Sequence, residues 1–172
     1  MKTIRLFPLL IALTLLVLPA CLNNNDNSSD FSEWRQLNED YITRISTLSE
    51  DGSLVYTPVT PAWDKSFTVY MKWHNEERNP SEVTPLSTSS CLVKYTLTNI
   101  DGDTLDSSQR FSCTPNNMVT GFMTALTHMR VNDTVTAVIP YTAGYGVYGY
   151  SDILPYSTLI FGIRLDSITR LM

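Results

Sequence analysis

The stretch from Gly121 to Ile168, GFMTALTHMRVNDTVTAVIPYTAGYGVYGYSDILPYSTLIFGIRLDSI, constrains the fold of this chain more than any other. Its hydrophobic pattern changes type along the way. Apolar residues at helical spacing predict a short amphipathic helix over Gly121–Arg130, followed by a β-run at Val135–Ile139. A loop dense in Tyr and Gly, Ala143–Tyr150, then leads to a second β-run at Thr158–Ile168. Upstream, Ser66–Trp73 alternates Phe67, Val69, Met71 and Trp73 as a strand does, and strand pattern returns at Cys91–Thr98. Asp101-Gly102 signals a turn, short strands are expected at Thr104–Asp106 and Phe111–Thr114, and Pro115–Val119 leads into the helix. Several strands with one short inner helix make an α+β domain, with no internal repeat.

Ahead of that domain the pattern is helical. Asp30 followed by Glu33 fits a capping box. Trp34, Leu37, Tyr41, Ile45 and Leu48 recur at three- and four-residue steps, with Arg35, Asn38, Glu39 and Arg44 off the stripe. Asp51-Gly52 ends this helix. Val55–Lys65, with Pro58 and Pro61, reads as a linker, and residues 75–90 form a polar connection with Pro80 and Pro85.

The chain begins as an exported protein does. Lys2 and Arg5 precede an apolar run, Leu6–Leu18. A permanent membrane span needs about 20 apolar residues, so a cleaved signal is the better reading. Leu18-Pro19-Ala20-Cys21 resembles a bacterial lipoprotein box, which implies cleavage before Cys21 and lipid attachment to it. The plainer alternative is a secreted protein in which Cys21 is incidental. Leu22 after that Cys resembles the outer-membrane sorting pattern, and the polar LNNNDNSSD that follows reads as a flexible tether. The expected organisation is a signal over 1–20, a tether over 21–30, a helix over 31–52, a linker over 53–65 and the main domain over 66–172. The lipid would be the membrane attachment.

Charge and composition exclude several functions. The leader's charges are Lys2 and Arg5, so its removal takes the net charge from −5 to −7. An acidic chain with scattered cations argues against a nucleic-acid partner, because phosphate binding needs a clustered positive surface. With 43% hydrophobic residues the chain is globular rather than disordered. Cys91 and Cys113 have neither metal-knuckle nor CxxC spacing, and His74 and His128 lie far apart, so no metal site is expected. In an oxidising compartment the two cysteines could pair; as buried strand residues they could equally remain thiols.

Two ordered blocks carry a family resemblance. The first is Cys91–Ser108, CLVKYTLTNIDGDTLDSS; the second is the stretch from Gly121 to Ile168, with Gly121-Phe122, Met129, Ile139-Pro140, Tyr145-Gly146 and Ser157–Phe161 at matching intervals. Together they resemble the FKBP-type peptidyl-prolyl isomerases over about 66–170. The resemblance implies a curved antiparallel sheet wrapped around the short helix. It also implies an aromatic pocket that twists X–Pro amides without a cofactor. By this resemblance Tyr95, Asp106 and Tyr145 would be the catalytic residues. Leu105, Phe111, Met118, Val119, Phe122, Ile153 and Phe161 would bind substrate, and Asn132 would take the left-handed position after the helix. The partners implied are proline-containing peptides or unfolded exported proteins. Some bacterial members carry N-terminal helices that dimerise, so residues 31–50 would either dock on their own domain, the favoured reading, or form a homodimer.

Three departures alter pocket shape while keeping it apolar. Leu105 stands where the family usually has Phe, Phe122 where it has Trp, and Ile153-Leu154-Pro155 where it has Ile-Pro-Pro. Besides isomerisation, two further readings follow: a peptide-binding module with little turnover, or a structural or adhesive lipoprotein.

Overall fold

The computed structural model describes residues 30–75 and 83–169. The expected signal, Cys21 and all of the tether but Asp30 lie outside the described residues, as do residues 76–82 of the polar connection.

Helix α1 (Ser32–Thr47) is followed by a small hairpin of β1 (Ser49–Glu50) and β2 (Ser53–Leu54) around Asp51-Gly52. The remaining strands are β3 (Thr57–Val59), β4 (Val69–Trp73), β5 (Ser90–Thr98), β6 (Thr104–Cys113), β7 (Thr134–Ile139) and β8 (Leu159–Thr169). Helix α2 (Thr120–His128) precedes β7. The six strands form one sheet in the order β3-β4-β7-β8-β5-β6, and every adjacent pair is antiparallel.

Period-two burial shows why the sheet takes one face inward. Along β8, Leu159, Phe161, Ile163 and Leu165 are buried; Val69 and Met71 do the same on β4, and Cys91 and Val93 on β5. Phe122, Ala125, Leu126 and Met129 from α2 and its C-cap join them in one core cluster. Burying each large apolar side chain contributes roughly 1.5–3 kcal/mol, which is what holds so short a helix. Gly121 permits the close approach, since a Cβ there would stand 2.1 Å from Ile139 Cγ2 and 3.1 Å from the Ala143 carbonyl oxygen. After α2 the chain turns at Asn132, with φ +72°. Asn there replaces Gly as the residue that best tolerates this conformation.

Four sequence expectations change. Thr57–Val59 pairs with Val69–Met71 instead of acting purely as linker; β3 is an edge strand, where Pro58 costs no interior ladder bond. The segment from Thr104 to Cys113 is one strand rather than two short ones. Its polar middle, Ser107–Arg110, misled the pattern because β6 is the opposite edge and β-bulges interrupt its pairing with β5. Helix α1 starts after Phe31 without the expected capping box; Asp30 sits one residue too early and accepts from the Ser32 N–H at 3.0 Å. On α1, Leu37 is 51% exposed while Asn38 is buried, which reverses their expected places. Cys91 and Cys113 are directly opposed across β5 and β6, and both are buried thiols.

Candidate active site

The sheet's register brings the first block together. Tyr95 on β5 faces Ser108 on β6, and Leu97 faces Asp106. The Tyr95 hydroxyl donates to Asp106 Oδ2 at 2.5 Å, while Asp106 Oδ1 accepts from the Ser107 N–H at 2.7 Å. Both carboxylate oxygens are therefore engaged in holding the strand and the ring. This suits a positioning role for Asp106 better than that of a free base.

Around Tyr95 the rings form a cluster. Tyr95 meets Phe111 edge-on at 5.4 Å between centroids, Phe122 at 6.3 Å and Phe161 at 6.0 Å, and Phe122 packs on Phe161 at 4.8 Å. Edge-to-face pairs of this kind add about 0.5–1.5 kcal/mol each beyond burial. Phe161 reaches the cluster because it lies opposite Leu97 on β5 and Ala137 on β7.

A cleft of about 180 Å³, lined by Leu97, Leu105, Asp106, Tyr145, Tyr150 and the segment from Ser151 to Ile153, meets this cluster through Asp106 and Leu97; none of the four rings lines it. The loop between β7 and β8 supplies its outer wall. Gly146 (φ +66°) and Gly149 (φ +70°) allow the loop's tight path. At Gly149 any side chain would collide with the Ile153 carbonyl, 2.2 Å from its Cβ position. Tyr150 and Ile153 bond reciprocally through backbone, 2.9 and 2.8 Å, and the Tyr150 ring stacks on Tyr145 at 5.0 Å.

Tyr95, Asp106, Phe111, Phe122 and Phe161 thus form one contiguous group, with Leu105, Tyr145 and Ile153 at its cleft. Phe122 is wholly buried and backs the group from within the core rather than presenting surface. Met118 lines a different hollow, about 250 Å³, with Phe111, Cys113 and Asn117. Val119 is the residue before α2 and packs partly buried against the core. Sequence reasoning missed Leu97, Tyr150, Ser151 and Asp152. The Tyr/Gly-rich composition marked the loop that holds Tyr150, but nothing in it singled out which exposed residues line the cleft.

Burial, followed by the hydrogen bond to Asp106 and its charge, pushes the Tyr95 hydroxyl up to about 12. Burial first, then Tyr150 and Asp106, also raises Tyr145. Both remain neutral hydrogen-bond donors at neutral pH. Among the described residues no group of three or more His, Cys, Asp or Glu is placed to hold a metal ion.

Comparison with known proteins follows the same outline. Residues 81–166, half of the chain, match the family model described as FKBP-type peptidyl-prolyl cis-trans isomerase. The macrophage infectivity potentiator of Trypanosoma cruzi is 35% identical over 96 residues, 53% of this chain and 49% of that protein. The chain therefore spans about half the length of that curated relative. A crystal structure of a peptidyl-prolyl cis-trans isomerase from Pseudomonas syringae pv. tomato superposes with a TM-score of 0.68 at 20% identity, covering 81% of this chain and 96% of that one. FkpA from Escherichia coli gives 0.66 at 21% identity, covering 81% and 61%. At such identities these two structures speak for the fold alone.

Proposed function

This chain belongs to the FKBP-type peptidyl-prolyl cis-trans isomerase family, and from that premise we propose that it isomerises X–Pro bonds in exported polypeptides, in the cleft lined by Leu105, Asp106, Tyr145 and Ile153, with Tyr95 bonded to Asp106 behind it. The observation that carries the reading is the Tyr95–Asp106 bond, set beside an aromatic cluster and a cleft walled by Tyr145 and Ile153.

The chemistry asks little of a nucleophile. Rotation about a peptide bond costs about 18–20 kcal/mol because planarity preserves amide resonance. X–Pro isomers are nearly balanced in energy, yet exchange takes tens to hundreds of seconds unaided. The catalyst must bind the twisted amide better than either planar form. Twisting breaks conjugation and lowers the charge on the carbonyl oxygen, so a poorly solvating cleft disfavours the dipolar planar states. Leu97, Leu105 and Ile153 would receive the prolyl ring, and Phe161 and Phe122 would stiffen the wall behind it. The neutral Tyr145 hydroxyl would orient the substrate by a hydrogen bond, as would the Val119 N–H. Asp106 would hold the Tyr95 ring in place and move no proton.

Site size favours a second reading enough to state it. A cleft of about 180 Å³ lies below the roughly 300–1,000 Å³ usual for drug-sized ligands. It suits a single small ring, with Tyr150 forming part of its wall. A peptide-binding lipoprotein with weak turnover would fit the same geometry.

Location belongs to the proposal as well. Lys2, Arg5, the Leu6–Leu18 run and Cys21 support export to a bacterial envelope and a lipid anchor in the outer membrane. No helix among the described residues is long and apolar enough to cross a membrane. A protease-coupled assay on an X–Pro peptide tests the function. Acceleration lost in Tyr145→Phe and Asp106→Ala supports isomerisation; no acceleration at micromolar protein, with saturable peptide binding retained, supports the binding module.

A further inference from the structure

Asn38 is fully buried on a helix whose neighbours on the chain are exposed or half-exposed. Its side-chain nitrogen donates to the Trp34 carbonyl at 2.8 Å, and its Oδ1 accepts from the Thr158 N–H at 2.6 Å. The Thr158 hydroxyl, in turn, donates to the Asn38 carbonyl at 3.4 Å. A buried amide satisfied at both ends is costly to remove, because the Thr158 N–H would lose its acceptor away from water.

The neighbouring contacts of α1 converge on the same loop. Trp34 Nε1 donates to Ser157 Oγ at 3.2 Å. Glu39 accepts from the Tyr141 hydroxyl at 3.3 Å and from Arg35 at 2.7 Å. The Arg35 guanidinium lies over the Tyr156 ring at 5.2 Å, and Tyr156 packs edge-on against Tyr141. Helix α1 therefore holds the β7–β8 loop at both roots, near Tyr141 where it leaves β7 and at Tyr156–Thr158 where it enters β8. Between those roots lie Tyr145 and the segment from Tyr150 to Ile153, which wall the cleft.

Inside the loop the two roots are also tied to each other. Gly146 N–H bonds to the Tyr141 carbonyl at 2.9 Å, and Tyr156 N–H bonds to the Gly146 carbonyl at 2.9 Å. Gly146 adjoins Tyr145, so a shift of either root passes through one hydrogen bond to the residue next to Tyr145 at the cleft. A docking helix that served only to cover core would bury an apolar side chain where Asn38 stands.

We propose that α1 is a clamp on the β7–β8 loop and that Asn38 is a positioning residue for Tyr145 and Ile153. The claim rests on the isomerase reading for its kinetic consequence and is independent of it for its structural one. A displacement of about 1 Å at a reacting centre can cost as much as 100-fold in rate. Asn38 acts at the loop's base rather than on the substrate, so a loss nearer tenfold is expected.

The test compares Asn38→Ala, Glu39→Ala and Leu37→Ala in the full chain. Leu37, half-exposed on the outer side of α1, controls for helix stability alone. Hydrogen exchange is read at the amides of Gly146, Tyr156 and Thr158, and kcat/KM is read on an X–Pro peptide. The clamp predicts at least tenfold faster exchange at these three amides in Asn38→Ala, with α2 amides unchanged, and about a tenfold loss of kcat/KM. Glu39→Ala, which removes a partly exposed carboxylate and the acceptor for Tyr141 while leaving Asn38 in place, should loosen the Gly146 amide by a smaller factor. Unchanged loop exchange in both variants, or an equal effect from Leu37→Ala, overturns the clamp. A wild-type chain without isomerase activity removes the isomerase reading instead, and the exchange result then decides the clamp by itself.

Discussion

Tyr95 illustrates how much a single side chain carries here. Its hydroxyl bonds Asp106, and its ring touches Phe111, Phe122 and Phe161. Tyr95→Phe keeps the rings but leaves Asp106 Oδ2 without that donor. A stability loss of about 0.5–1.5 kcal/mol in urea unfolding is expected. Titration gives a second check. The folded hydroxyl ionises at about 12 against an ordinary 10.0, so the folded state holds its proton more tightly. That contribution is whole below pH 10 and declines as pH climbs toward 12; phenolate absorbance should show late ionisation that includes Tyr95, removed in part by Tyr95→Phe, with unfolding setting in over the same window. The cysteines follow a parallel logic. Burial lifts Cys91 to about 11 and Cys113 to about 12. Both thiols should react slowly with a disulfide reagent at neutral pH in the folded chain and rapidly in denaturant.

Elements show which signals a sequence transmits and which it does not. Period-two burial made β4, β5 and β8 legible, since a strand with one buried face alternates whatever its neighbours. Edge strands lack that discipline. Pro58 suggested a linker and Ser107–Arg110 a break, yet both segments pair, because an edge tolerates a missing donor and an exposed polar run. Tyr95, Asp106 and Phe161, on regular elements, came from the resemblance of their two blocks to the family; Tyr150 and Asp152 did not, because a glycine-kinked loop sets direction by dihedral angle instead of by period. Asn38 was the hardest case. Its burial serves a hydrogen bond to Thr158, 120 residues away, which no local pattern reports. Two substitutions probe these elements. Gly121→Ala forces a Cβ against Ile139 and should cost about 1–3 kcal/mol, lowering Tm. Asn132→Val places a β-branched residue at φ +72° and should cost about 1–3 kcal/mol, whereas Asn132→Gly should be close to neutral.

At the scale of the whole molecule, one antiparallel sheet carries both blocks of the site and one helix holds its loop in place. β5 and β6 present Tyr95 and Asp106, and β8 presents Phe161 from the other side of β5. The β7–β8 loop brings Tyr145 and Ile153, and α1 fixes the roots of that loop. On the proposed reading such a design would catalyse by shape and dryness, so its rate should respond little to pH across the neutral range, where both hydroxyls stay protonated. Two-dimensional exchange NMR on a proline peptide tests this most directly, because it reads cis and trans populations without a coupling protease. At micromolar protein the account predicts that exchange requiring tens to hundreds of seconds unaided shortens to about a second or less, with the cis-to-trans ratio unchanged and the effect much reduced in Tyr145→Phe. Exchange as slow as in buffer, from a chain whose spectrum shows it folded, would contradict it.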